Sequence, residues 1–287
     1  MIRRRILSAA VLSLAIGLPA ALDLHAAENA SPPSGPIPYG QLDAYLKASP
    51  KERAAQRWVY TPAVPPIPAN IAAAIASPDR TPAMKARDFG RKPAEVFAYA
   101  GLKSGDKVIE IGSFGQYDTT IISAAVGPSG HVYMYDLPYM QARAETPSKA
   151  FVAAHPNAEY KIGKFDEIGF PSGVDMVVID MYYHDLSINN VNLTTFNKKM
   201  FDALRPGGRL LIVDHNAEAG SGRRDTNTIH RIDRTLILNE LKAAGFTLAV
   251  DSNMFANTTD DHKKMVFDPG ERGSTDRSLF VFEKPRR

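Results

Sequence analysis

The chain has 287 residues, 44% apolar and 23% charged, an ordinary globular balance that excludes intrinsic disorder of the whole chain. It contains no cysteine, which excludes disulfides, thiolate zinc sites, a cysteine nucleophile and a lipid-anchored N-terminal cysteine. Its net charge of +3 comes mostly from the first 26 residues, and the near-neutral remainder has no basic run of the kind that binds nucleic acid.

Arg3, Arg4 and Arg5 precede a 13-residue apolar stretch, Ile6–Leu18. A membrane-spanning helix needs about 20 such residues. Pro19 ends the stretch and Ala20–Ala27 supplies small residues, so residues 1–26 read as a secretory signal peptide cleaved near Ala26. The arginines fit either a twin-arginine pattern or an ordinary charged n-region. No later stretch approaches the length of a span. The expected mature chain is periplasmic or secreted, without stable membrane insertion.

Residues 27–89 read as a linker followed by a helical cover. Ser31–Pro38 is rich in proline, serine and glycine, a helix is expected at Tyr39–Trp58, and a short one at Ile71–Ala76. From residue 90 to 287 the signals become regular. Pro93 opens a helix that Gly101 stops, and Lys107–Ile111 is a β-branched strand. Tyr117–Val126 is a helix ended by Gly127-Pro128, followed by a strand at His131–Leu137. Pro138–Ala154 is helical, with Pro147 disturbing it, and Glu159–Phe165 is a strand. Val174–Asp180 is a buried strand. Leu193, Phe196, Met200, Ala203 and Leu204 share a helical face, and Arg209–Asp214 is another buried strand. Ile237, Leu241 and Ala244 line the next helix. Thr247–Phe255 and Ser278–Glu283 are strands with no helix between them, suited to an antiparallel hairpin at one edge. Their 22-residue connection, 256–277, is long enough to be functional rather than idle. This order implies an α/β fold, a mostly parallel sheet with helices on both faces.

Ligands in such sheets bind beyond the carboxyl ends of the strands, at the topological switch point. The first strand runs out into Glu110-Ile111-Gly112-Ser113-Phe114-Gly115-Gln116-Tyr117. Asp136, 24 positions after Gly112, closes the second strand, where a carboxylate either meets a ribose hydroxyl pair or caps the following turn.

Gly101–Asp136, Val174–Asp180 and Leu204–Asp214 together resemble class I S-adenosylmethionine-dependent methyltransferases. Tyr183-His184-Asp185, Asp214-His215, Thr228–Asp233 and Phe267-Asp268-Pro269 further resemble a family of bacterial methyltransferases with no assigned substrate. The resemblance runs from about Ile71 to Pro285. It implies a Rossmann-like fold, a mostly parallel seven-stranded sheet with an antiparallel edge strand, and S-adenosylmethionine as cofactor. It also implies that Glu110 contacts the methionine part, that Gly112 and Gly115 let the backbone approach, and that Asp136 holds the ribose. The family loop has further glycines where Phe114 and Gln116 stand. A side chain there obstructs the cofactor, and a left-handed backbone would cost Phe114 about 1–2 kcal/mol unless Gly115 takes the turn. Lys164 falls near the family's adenine-contacting acid, with Asp166 two residues later as a substitute.

His184, Asp185 and His215 are the candidate catalytic residues. An imidazole with its ordinary pKa near ~6.5 deprotonates an acceptor readily, or is structurally hydrogen-bonded. Asp185 either assists or caps a helix. Tyr182 and Tyr183 read as packing residues. Asp180, Asp214 and Asn216 resemble the oxygen ligands of catechol-type methyltransferases, with His230 and His262 as further ligands if their loops fold inward. Arg223, Arg224 and Arg231 either bind an acidic substrate or lie on a solvated loop. The expected function is methyl transfer to a small-molecule substrate. The alternatives are a non-catalytic binding protein on the same fold and a divalent-metal-dependent enzyme.

Overall fold

The computed structural model describes residues 63–286. The signal-like segment, the Ser31–Pro38 linker and the helix expected at Tyr39–Trp58 lie outside the described residues.

The β-branched runs form the sheet. Strand β1 (Lys107–Ile111) pairs in parallel with β2 (His131–Asp136) on one side and β4 (Val174–Asp180) on the other. Outside these lie β3 (Ala158–Ile162), parallel to β2, and β5 (Leu204–His215), parallel to β4. Strand β7 (Arg277–Glu283) runs antiparallel between β5 and β6 (Thr247–Ser252). The order is β3-β2-β1-β4-β5-β7-β6, a mostly parallel seven-stranded Rossmann-like sheet. The antiparallel pair closes one edge, with β7 inside and β6 outermost. β7 is flanked on both sides, so all its residues are buried and its apolar run Leu279–Phe282 is continuous.

Ten helices are described: α1 (Ala69–Ala76), α2 (Pro82–Lys85), α3 (Asp88–Arg91), α4 (Pro93–Ala100), α5 (Tyr117–Val126), α6 (Gln141–Ala154), α7 (Tyr183–Ile188), α8 (Leu193–Ala203), α9 (Thr226–Ile229) and α10 (Arg234–Ala243). Helix α4 begins at Pro93 and stops at Gly101, whose φ of 73° suits a glycine C-cap. Helix α6 continues through Pro147, so the expected disturbance does not end it. The side chain of Asp233 caps α10 by accepting the Thr235 amide.

Side chains alternate across each strand, so neighbouring residues feed opposite cores. Ile109, Ile179, Ile212 and Phe280 face one layer, with Phe196 and Met200 of α8 and Ile237 and Leu241 of α10. Val108, Val178, Leu211 and Val281 face the other, with α4 and α5. Ile71 and Ala74 of α1 belong to this second core, and Asn70 donates to the Ala125 carbonyl at the end of α5. Residues expected as a cover outside the Rossmann-like body therefore share its core.

The segment between β6 and β7 contains neither helix nor strand, but it is anchored. Arg231 is fully buried; its Nη1 donates to Asp260 and to the Asn216 carbonyl, and its Nε to the Lys264 carbonyl. The solvated-loop reading of Arg231 is thus corrected. Arg223 pairs with Glu240, and Arg224 with Glu218 and Asp225, so each of these three arginines already has an acidic partner in the chain.

Candidate active site

At the carboxyl end of β1 the chain turns sharply. Gly112 (φ 82°), Gly115 (φ 83°) and Gln116 (φ 51°) carry the left-handed conformations, and Phe114 does not. The expected strain on Phe114 is therefore absent; Gly115 takes the turn, and the strained side chain is Gln116. The Gln116 amide group is held by donation to the Ser148 hydroxyl. The Phe114 amide and the Ser113 hydroxyl both donate to the Asp136 carboxylate, at 3.1 and 3.2 Å. Asp136 thus ties the end of β2 to the loop after β1. Burial raises its pKa to about 6 against these hydrogen bonds.

Glu110 is buried beside this loop and accepts the Thr119 hydroxyl at 2.6 Å. Burial pushes its pKa up to about 8. A Cβ on Gly112 would stand 2.6 Å from the Tyr182 ring, so that ring fills the space over the turn. The Tyr182 hydroxyl meets that of Tyr139 at 3.0 Å, and its ring lies 5.7 Å from that of Phe114. At Gly115 the same space is open. Asp166 accepts the Asn192 amide and lines a separate cavity of about 390 Å³ with Leu137, Tyr139 and Val191.

The ends of β4 and β5 carry two clusters. In the first, Arg91 donates to Asp180 at 2.6 Å and to Asp118 at 3.3 Å, with its guanidinium over the Tyr117 ring. Burial and the neighbouring Asp180 hold Asp118 well above the usual carboxylate range. In the second, Asp214 accepts the His184 amide (2.8 Å), the His184 Nδ1 (2.7 Å) and the His215 amide (2.8 Å). Burial lowers the His184 pKa, but the Asp214 carboxylate outweighs it, and the net direction is up. The His184 Nε2, the His230 Nδ1 and the Asp185 Oδ1 converge at 3.2–3.3 Å from one another. Asn216 donates to Asp276 instead, and His262 pairs with the same carboxylate. The expected Asp180–Asp214–Asn216 ligand set is therefore not assembled: each residue serves a different partner.

Of the expected catalytic residues, His215 lines a cavity of about 440 Å³ beyond β4 and β5. Its Nδ1 meets the Thr275 hydroxyl at 2.8 Å, and burial followed by the surrounding cations holds its pKa well below the usual value. Burial and these cations favour its neutral form, which leaves a ring nitrogen free to accept a proton but lowers its basicity. His184 and Asp185 face His230 rather than this cavity. Arg87, Arg91 and Arg277 share the lining with Phe89, Met181 and Phe267. Arg277 is buried, its pKa lowered by burial to about 10, and its Nη1 has no hydrogen-bond partner among the described residues. These cations had no sequence signal. Arg91 and Arg277 stand far apart in the chain, each without a motif, and only the sheet brings them together.

No protein-family model matches the chain. An arsenite methyltransferase of Halobacterium salinarum is 33% identical over 134 residues, 44% of this chain and 32% of the relative. A ubiquinone/menaquinone biosynthesis C-methyltransferase of Pasteurella multocida is 28% identical over 117 residues, 40% of this chain and 42% of the relative. The matches thus span well under half of either curated relative. Among solved structures, a chain from the complex of the Haloferax volcanii Trm112 methyltransferase activator superimposes with a TM-score of 0.50 at 16% identity, over 76% of this chain and 98% of that one. At such identity the likeness establishes the fold alone, a Rossmann-like fold of methyltransferase type.

Proposed function

We propose that the chain is an S-adenosylmethionine-dependent methyltransferase acting on a small acceptor that carries an anionic group. The observation that carries the cofactor reading is the glycine turn after β1, with Gly112 at φ 82° and Gly115 at φ 83°, at the switch point between β1 and β4 of this sheet order. Glu110, Gly112 and Asp136 are of the residue types that a nucleoside with a ribose diol and a charged amino-acid tail requires. The Tyr182 ring fills the cradle over Gly112, so binding displaces that ring. The two curated relatives are named for unlike acceptors, so neither acceptor transfers to this chain. Arsenite in particular is a soft acceptor suited to thiolates, and this chain has no cysteine. The cavity beyond β4 and β5 supports an acceptor with an anionic group, because the guanidinium-bearing Arg87, Arg91 and Arg277 line it. His215 is the proton acceptor within that cavity.

Thermal shift and equilibrium dialysis with S-adenosylmethionine and S-adenosylhomocysteine test the cofactor reading. Ligand at about 100 times its dissociation constant stabilises the folded state by roughly 2.7 kcal/mol. For a domain of this size the Tm rises by about 5–10 °C. Asp136→Asn should lose most of the shift, and Tyr182→Ala should bind more tightly than wild type. No binding of either ligand at millimolar concentration, by wild type and Tyr182→Ala alike, overturns the reading and favours a non-catalytic binding protein.

We also place the mature protein in the periplasm or outside the cell, on the strength of Arg3–Arg5, the apolar Ile6–Leu18 and the small residues after them. Among the described residues, no helix is long and apolar enough to cross a membrane. Sequencing from the N-terminus of protein isolated from its host should begin near Ala27; intact Met1 on cytosolic protein contradicts export.

A further inference from the structure

We propose that His184, Asp185 and His230 form a binding site for one divalent transition-metal ion of the zinc class. The three ligand atoms, His184 Nε2, His230 Nδ1 and Asp185 Oδ1, stand 3.2, 3.3 and 3.3 Å apart. Ligands in a tetrahedral site with bonds of about 2.0–2.1 Å are separated by about 3.3–3.4 Å. The triangle is therefore the size that a single small cation sets.

Hydrogen bonding alone accounts poorly for this convergence. The Asp214 carboxylate only accepts, so the His184 Nδ1 facing it at 2.7 Å carries a proton. In the neutral ring the His184 Nε2 is then a bare lone pair. It faces the His230 Nδ1 and the Asp185 oxygen, and a proton on either histidine nitrogen, even when shared between two acceptors, leaves the third contact as two facing lone pairs. Protonating both rings would let both donate to Asp185, at the cost of holding two positively charged nitrogens 3.2 Å apart. A cation among three lone pairs satisfies every contact at once.

The surroundings fit a metal centre. Asp214 behind His184 is the carboxylate that orients a ligating imidazole and raises its basicity. His230 sits in the left-handed region at φ 55°, directly after α9, a strained conformation for a residue with a Cβ. Burial is graded: the His184 side chain is 3% exposed, Asp185 18% and His230 26%. The site thus has a buried floor and an open side, beside the ring of Phe267 at 5.1 Å from that of His230. Three protein ligands leave a fourth position for water or an acceptor oxygen. Two imidazoles and one carboxylate favour zinc-class ions over magnesium or calcium, which prefer oxygen ligands. His184 also abuts His215 at 6.0 Å between rings, one residue away from the arginine-lined cavity.

The test uses the untagged full chain, stripped with a chelator and titrated with Co²⁺, then Zn²⁺. The expected result is one ion per chain, a visible Co²⁺ spectrum of four- or five-coordinate intensity, and its bleaching by Zn²⁺. His230→Ala and Asp185→Asn, both at partly exposed positions, should fold and lose the spectrum. His262→Ala should retain it, because His262 is paired elsewhere with Asp276. Asp214→Asn should weaken binding by about 10–100-fold through the loss of the orienting contact. Absence of stoichiometric binding by the wild type, or binding that survives in both His230→Ala and Asp185→Asn, overturns the proposal.

Discussion

Glu110 shows what burial does to a single carboxyl. It has one hydrogen-bond donor, Thr119, and is buried near Asp136 and Asp180. Its pKa rises from 4.5 to about 8 because desolvation disfavours the charged form. Below pH 4.5 both folded and unfolded chains hold the proton, and the group's contribution is fully present. Between about 4.5 and about 8 only the folded chain holds it, so stability falls as pH rises through that window. Each unit of pKa difference is worth about 1.4 kcal/mol. Denaturant unfolding of wild type and Glu110→Gln from pH 5 to 8 should show a flatter decline in the variant, whose amide does not titrate. An equally steep decline in both would show that Glu110 does not hold the proton. The place of Glu110 before the glycine turn was legible in the sequence. Its partner Thr119 was not, because that contact depends on how α5 leaves the turn.

The turn between β1 and α5 shows how two similar glycines acquire different duties. Both have φ above 80°, a region in which a Cβ costs about 1–2 kcal/mol. At Gly115 nothing else stands in the way. At Gly112 the added atom would strike the Tyr182 ring at 2.6 Å, and that ring is fully buried. Overpacking of this kind adds about 1–3 kcal/mol. Gly112→Ala should therefore lower Tm more than Gly115→Ala, by roughly 2–12 °C at about 2–4 °C per kcal/mol. Equal losses in thermal unfolding would mean that the Tyr182 ring moves aside freely. The bounds of α5 were readable, since Gly127-Pro128 stops it. The bounds of β3 were not: the ladder ends at Ile162, the Gly163 amide bonds the Asp136 carbonyl, and Phe165 turns into the core.

At the scale of the whole molecule, helix α1 of the N-terminal segment contributes Ile71 and Ala74 to the core. Ile71 of α1 is fully buried and packs in the same layer as Ile121, Ile122 and Val108. Ile71→Ala removes buried carbon and leaves a cavity, which typically costs 2–5 kcal/mol. Because α1 shares this core, the loss should lower the midpoint of one cooperative transition rather than split it. Calorimetry that shows the main transition unmoved, with a separate early event, would make residues 69–91 an independent cover. The sequence boundary near residue 89 followed the onset of regular strand and helix signals, and that onset is not where the core begins.

The alternation of apolar strands with glycine- and proline-bounded helices determined the sheet, its parallel order and the position of Glu110, Gly112 and Asp136. Those features depend on local periodicity and turn chemistry, which a single sequence carries. The tertiary structure alone decided which side chains meet. It paired Asp180 with Arg91 and Asp214 with His184, and it placed the Tyr182 ring over Gly112. It also brought His230 to His184 across 46 positions of chain and gathered Arg87, Arg91 and Arg277 around one cavity. Contacts at such separations are set by strand order and by the path of the loops between strands. Neither is written in the spacing of the residues that finally touch.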